Sequence, residues 1–153
     1  MPACAPVALP MESELARTEA ILLVDDEESF RATVVRQLQN AGFSTIEARD
    51  GSEAIKRFAE HREEIAAVLL DLVMPNTSGG ETLAILRYYD STLPVVVTSG
   101  YSEIDAMRLR ETERGVGFLG KPFTAAELTN ELRRVISERP PKHRHSTPPK
   151  PLF

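Results

Sequence analysis

At 153 residues the chain can bury one sizeable core and is too short for two ordinary domains. Its 18 Lys and Arg against 23 Asp and Glu give a net charge of −5, which argues against a general nucleic-acid-binding surface. Lys142, Arg144 and Lys150 sit in an acid-free tail, so the remainder is more acidic still. A single cysteine, Cys4, excludes an intrachain disulfide framework and a Cys-based zinc site, and it fits a reducing compartment. The longest apolar runs, 20–24 and 66–70, fall far short of the roughly 18 residues that a membrane span needs. The first residues also lack the basic start and apolar stretch of a signal peptide. A cytoplasmic protein without membrane contact is expected.

Residues 1–18 carry Pro2, Pro6 and Pro10 among small residues with no sustained period, and read as a flexible leader. Ala20–Val24 predicts a strand. Glu28–Asn40 predicts a helix whose Phe30, Val34 and Leu38 share a buried face, with Ala41-Gly42 as its stop. Four more strand–helix pairs follow: Ser44–Ala48 with Gly51–His61, Ala66–Leu70 with Gly79–Tyr89, Val95–Thr98 with Ser102–Arg114, and Val116–Leu119 with Ala125–Glu138. Gly115 ends the fourth helix. Thr124 and Glu127 match a capping box for the fifth, which buries Leu128, Leu132 and Val135. From Pro140 onward, five prolines and no acid predict a disordered basic tail over 140–153. The repeated alternation over 19–139 predicts one α/β domain with a mostly parallel sheet. Three of the strands are apolar enough to be covered on both faces.

The polar residues fall at telling places. Asp25 and Asp26 follow the first strand, Asp71 the third, Ser99 the fourth and Lys121 the fifth, all just beyond the carboxyl ends where open α/β sheets bind ligands. Three carboxylates on one edge repel one another unless a cation neutralises them. Mg²⁺ suits that need, because it takes one or two carboxylates, keeps waters and pairs with phosphate oxygens. Lys121 offers a point positive charge to a phosphoryl oxygen or, without phosphate, to Asp71. Ser99 offers a hydroxyl donor.

The segments ILLVDDEE, LLDLVMP, PVVVTSGY and GFLGKPF, in this order and spacing, resemble the receiver family of response regulators. The resemblance covers about 20–138. It implies a flavodoxin-like (βα)5 domain with strand order 2-1-3-4-5, and Mg²⁺-dependent transfer of a phosphoryl group from a histidine kinase or histidine phosphotransfer protein to Asp71. It further implies that Asp26 is a direct metal ligand, Asp25 a ligand through water, and the Val73 carbonyl a further ligand. Lys121 orients phosphate, Ser99 stands at the switch position with Thr98 as the alternative, and Phe118 is the aromatic switch residue. Lys121-Pro122 is expected to be cis. On this reading the protein is a signalling domain, not an enzyme acting on a separate substrate, and its downstream protein target is unspecified. The Pro/Ala-rich leader resembles linkers that precede the terminal receiver of hybrid histidine kinases.

Each residue has a blander reading. Asp25-Asp26 could cap a turn, Asp71 could be a loop carboxylate, Ser99 could open a turn with Gly100, and Phe118 could simply be core. Their coincidence at four strand ends favours a site. An aspartyl-nucleophile phosphatase of the haloacid-dehalogenase-like kind needs a second acid two residues on, where Val73 stands. A receiver-like interaction module that no longer takes phosphate would leave the retained polar set unexplained. His61, His143 and His145 form no ligand constellation, and the PxxP pattern at 148–151 designates no partner.

Overall fold

The computed structural model describes residues 19–74, 78–100 and 115–140. The leader, the predicted fourth helix over 102–114, Tyr101 and the tail beyond Pro140 lie outside these residues. The elements are β1 (Ala20–Val24), α1 (Glu28–Asn40), β2 (Ser44–Ala48), α2 (Gly51–His61), β3 (Ile65–Asp71), α3 (Gly79–Tyr89), β4 (Val95–Ser99), β5 (Val116–Gly120) and α4 (Ala125–Ser137). All strand pairs are parallel, in the order β2-β1-β3-β4-β5. This is the flavodoxin-like arrangement expected from the sequence.

Strand pleating divides the core into two layers. Leu22 and Val24 of β1, with Val68 and Leu70 of β3, face Ala54 and Phe58 of α2 and Leu83 and Leu86 of α3. The alternate residues Ile21, Leu23, Ala67 and Leu69 face Val34 and Leu38 of α1 and Leu128, Leu132 and Val135 of α4. β1 and β4 are buried throughout and β3 nearly so, whereas the edge strand β2 leaves polar positions exposed. Burial on both faces is what near-continuous apolar strands require in a parallel sheet.

Local signals fix the joints. Gly42 takes φ 97°, and the N–H groups of Gly42 and Phe43 donate to the carbonyls of Gln39 and Leu38, closing α1. Thr124 and Glu127 form the reciprocal capping box of α4. Lys121-Pro122 is cis.

Three expectations need correction. Asp71 and Ser99 do not follow their strands but end them, because Asp71 is still in register with Thr98 and Ser99 with Gly120. Parallel pairing thus extends β3, β4 and β5 by a residue each at the carboxyl edge, and β3 also begins one residue earlier, at Ile65. Phe30 is only half-buried; the buried face of α1 instead contains Arg31, which has polar partners at the sheet edge.

α3 starts against the end of β3, and the approach is close. A Cβ on Gly79 would lie 2.5 Å from the Asp71 carbonyl oxygen and 2.6 Å from Leu72 Cα, whereas one on Gly80 would meet only Ser78 Oγ at 3.4 Å. Backbone cannot yield as a flexible side chain does, so Gly79→Ala is expected to cost about 1–3 kcal/mol in overpacking. Gly80→Ala should be neutral or stabilising, through helix propensity. Urea midpoints of the two variants check this, and equal midpoints would contradict the packing argument.

Candidate functional site

The carboxyl edge of the sheet gathers residues far apart in sequence. Asp25, immediately after β1, is 1% exposed, and Asp71, the last residue of β3, is 6% exposed. Asp26 lies on the exposed side of the same turn. One oxygen from each of the three carboxylates falls within 4.8 Å of the others. Lys121 enters from the loop after β5 and places Nζ 2.9 Å from Asp25 Oδ2 and 3.5 Å from Asp71 Oδ2.

Each carboxylate has a different commitment. Asp25 accepts the Glu27 N–H at Oδ1 (2.9 Å) and Lys121 at Oδ2, so both its oxygens are engaged. Asp71 accepts the Val73 N–H at Oδ1 (3.1 Å) and leaves Oδ2 facing Lys121 across the longer gap. Asp26 has no hydrogen bond or ion pair among the described residues. Lys121 pairs with Asp71 at 3.5 Å, the counter-charge the sequence suggested, and makes its shorter hydrogen bond, at 2.9 Å, to Asp25.

Burial is the largest influence on Asp71 and pushes its carboxyl above the ordinary value; the Asp25 charge adds to this, and the Val73 N–H and Lys121 oppose it. For Lys121, burial alone would lower the pKa, but the hydrogen bond to Asp25 and the charges of Asp25 and Asp71 outweigh it and hold the ammonium above its usual value. The lysine is therefore charged at neutral pH, and the site carries three acids against one base. That residual negative charge, with oxygen donors at short range, fits a hard divalent cation.

Val73 is 62% exposed beside Asp71. Ser99 is buried, and its carbonyl accepts the Lys121 N–H at 2.9 Å, tying the end of β4 to the lysine loop. The register sets Thr98 beside Asp71, with Ser99 on the opposite pleat alongside Val97. Phe118 is half-buried in β5, and its N–H donates to Glu131 Oε2 at 3.0 Å.

Two contributors went unnoticed in the sequence. Arg31 is 7% exposed; its Nη1 donates to the Asp25 carbonyl at 2.6 Å and its Nε to Glu47 Oε1 at 3.1 Å. It therefore satisfies a carbonyl left at the end of β1. Phe30 lies with its ring 4.1 Å from Lys121 Nζ and meets Phe123 edge-on at 5.7 Å. Their helical spacing reads as ordinary amphipathic pattern, so only a basic residue at a core-facing position hinted at either.

The Response regulator receiver domain model matches residues 21–133. The chain is 32% identical over 127 residues to Sensor kinase CckA of Brucella abortus (strain 2308), covering 83% of this chain and 13% of that protein. It is 35% identical over 120 residues to Transcriptional regulatory protein PrrA of Mycobacterium bovis, covering 78% of this chain and 50% of that one. Among solved structures, a chain of the CheX-CheY-BeF3-Mg²⁺ complex from Borrelia burgdorferi matches with TM-score 0.69 and 25% identity, over 76% of this chain and 87% of that chain. The chain thus spans half or less of the curated relatives it matches. Among the described residues no helix is long and apolar enough to cross a membrane. Sequence, sheet order and edge chemistry agree: the chain belongs to the response regulator receiver domain family of two-component signalling.

Proposed function

We propose that residues 19–139 act in the cytoplasm as a phosphoryl-accepting receiver, in which Asp71 takes a phosphoryl group from a phosphohistidine on a histidine kinase or histidine phosphotransfer protein. The observation that carries this reading is a buried carboxylate with one oxygen oriented by a backbone N–H and the other beside an ammonium. Asp71 Oδ2 attacks phosphorus in line, an O–P bond forms as the N–P bond breaks, and the electron pair leaves on the imidazole nitrogen.

Asp25, Asp26, Asp71 and the Val73 carbonyl would hold Mg²⁺. Bound there, the ion supplies positive charge that offsets the phosphoryl oxygens and the crowded carboxylates. Asp26, exposed and uncommitted among the described residues, suits a direct ligand, whereas Asp25 has both oxygens engaged and suits contact through water. Lys121 stabilises one phosphoryl oxygen by charge, and the Ser99 hydroxyl donates to another. Movement of Ser99 toward the phosphate then frees space for Phe118, so phosphorylation biases two packings of the surface beyond β4 and β5. A phosphatase of the aspartyl-nucleophile type gains no support, since exposed, apolar Val73 stands where its general acid is needed.

Asp71→Asn is expected to fold normally and to lose acyl-phosphate formation from a small phosphodonor together with beryllofluoride binding in Mg²⁺. NMR titration and acid-gel labelling check this. A wild-type chain that binds no beryllofluoride would instead mark an interaction module that no longer takes phosphate.

Lys121→Ala is expected to bind Mg²⁺ several-fold more tightly, since the ammonium no longer competes for Asp25 and Asp71. The same variant should show a smaller spread of shift changes with beryllofluoride. Calorimetric Mg²⁺ affinity no higher than wild type would contradict the electrostatic account.

A further inference from the structure

We propose that Phe30 is a positioning residue for Lys121, holding the ammonium through the face of its ring so that it can pass between carboxylate and phosphoryl oxygen. The inference rests on the proposed role of Lys121 and adds a residue to it. Lys121 Nζ lies 4.1 Å from the centroid of the Phe30 ring, within cation–π range, while it is 2.9 Å from Asp25 Oδ2 and 3.5 Å from Asp71 Oδ2. The cation thus has an anion on two sides and an aromatic face on a third.

The ring is itself held. Phe123, two residues beyond Lys121, meets Phe30 edge-on, with centroids 5.7 Å apart and planes at 85°. Both phenylalanines pack against the α1/α4 side of the core. The loop after β5 therefore supplies the cation and also the ring that fixes the cation's aromatic seat on α1. This accounts for an apolar residue left half-buried at the mouth of an acidic site, where the helical pattern predicted core.

The seat has a chemical advantage over a third acid. A lysine stem has four carbons of freedom, and a lone ammonium among carboxylates would settle on the nearest one. A ring attracts the charge without accepting a proton or fixing a direction, so it holds the ammonium more strongly once Lys121 has exchanged the competing Asp25 for a phosphoryl oxygen. Another carboxylate would deepen the resting contact and add repulsion toward phosphate.

The test separates ring electrostatics from ring volume. Phe30 is replaced site-specifically by mono-, di- and trifluorophenylalanine, which keep the shape and progressively weaken the negative ring face. Beryllofluoride affinity in Mg²⁺ and urea stability are measured for each, beside Phe30→Leu and Asp71→Asn. Beryllofluoride should bind progressively more weakly along the series, to about 2- to 30-fold at its end, with unfolding midpoints nearly constant. In the free protein the Lys121 ε-methylene protons should carry an upfield ring-current shift that Phe30→Leu removes. Affinity that is flat across the series, or a Lys121 shift unchanged in Phe30→Leu, overturns the proposal while leaving the phosphoryl-acceptor reading intact. Failure of the wild-type chain to bind beryllofluoride at all overturns that reading and this one with it.

Discussion

The pairing of one lysine with two buried carboxylates governs the rest of the carboxyl edge. Bringing Asp25 and Asp71 out of water costs several kcal/mol per ion before any partner is counted, and placing them within a few ångströms of each other adds repulsion. The Lys121 ammonium, brought in by the loop after β5, offsets both costs. Removing it leaves two buried like charges with one hydrogen-bonded N–H each. Neutralisation is incomplete even so, since Asp26 adds a third acid. The edge is thus built with an excess of negative charge that a divalent cation relieves.

The scaffold transmits that constraint in two directions. Toward β4, the Lys121 N–H bonds the Ser99 carbonyl and the Leu72 N–H bonds the Thr98 carbonyl, so the end of β3, the end of β4 and the lysine loop share one hydrogen-bonded edge. A change in charge at Asp71 is felt first by groups on this edge. Toward α1, Arg31 ties the Asp25 carbonyl to Glu47 of the edge strand β2, and Phe30 meets Lys121. Close contact of Gly79 with the backbone of Asp71 and Leu72 joins α3 to the same point.

Membership of the receiver family also frames what the chain does within a larger scheme. It matches a small part of a sensor kinase and half of a transcriptional regulator. The same unit therefore occurs joined to very different neighbours.

Much of this was legible in the sequence because its signals are local and periodic. Alternating apolar runs and amphipathic stretches identified the parallel α/β domain. Gly42 and the Thr124–Glu127 box marked helix ends, and the acidic pair, Asp71, Ser99 and Lys121 stood out by falling at strand ends. The sequence alone could not decide which carboxylate takes the lysine, since Asp25 and Asp71 differ by small distances that depend on how the β5 loop folds over β1 and β3. Nor could it say that Asp71 and Ser99 still belong to their strands, because a strand's last residue is set by pairing with its neighbour and not by its own character. Phe30 and Arg31 showed the same limit most clearly: one-dimensional spacing assigned Phe30 to a buried stripe, and only the packing of α1 against a loop ninety residues away turned it into the aromatic partner of a cation. Periodicity determines which face of an element turns inward, whereas a charged site is determined by long-range distances that only the assembled sheet supplies.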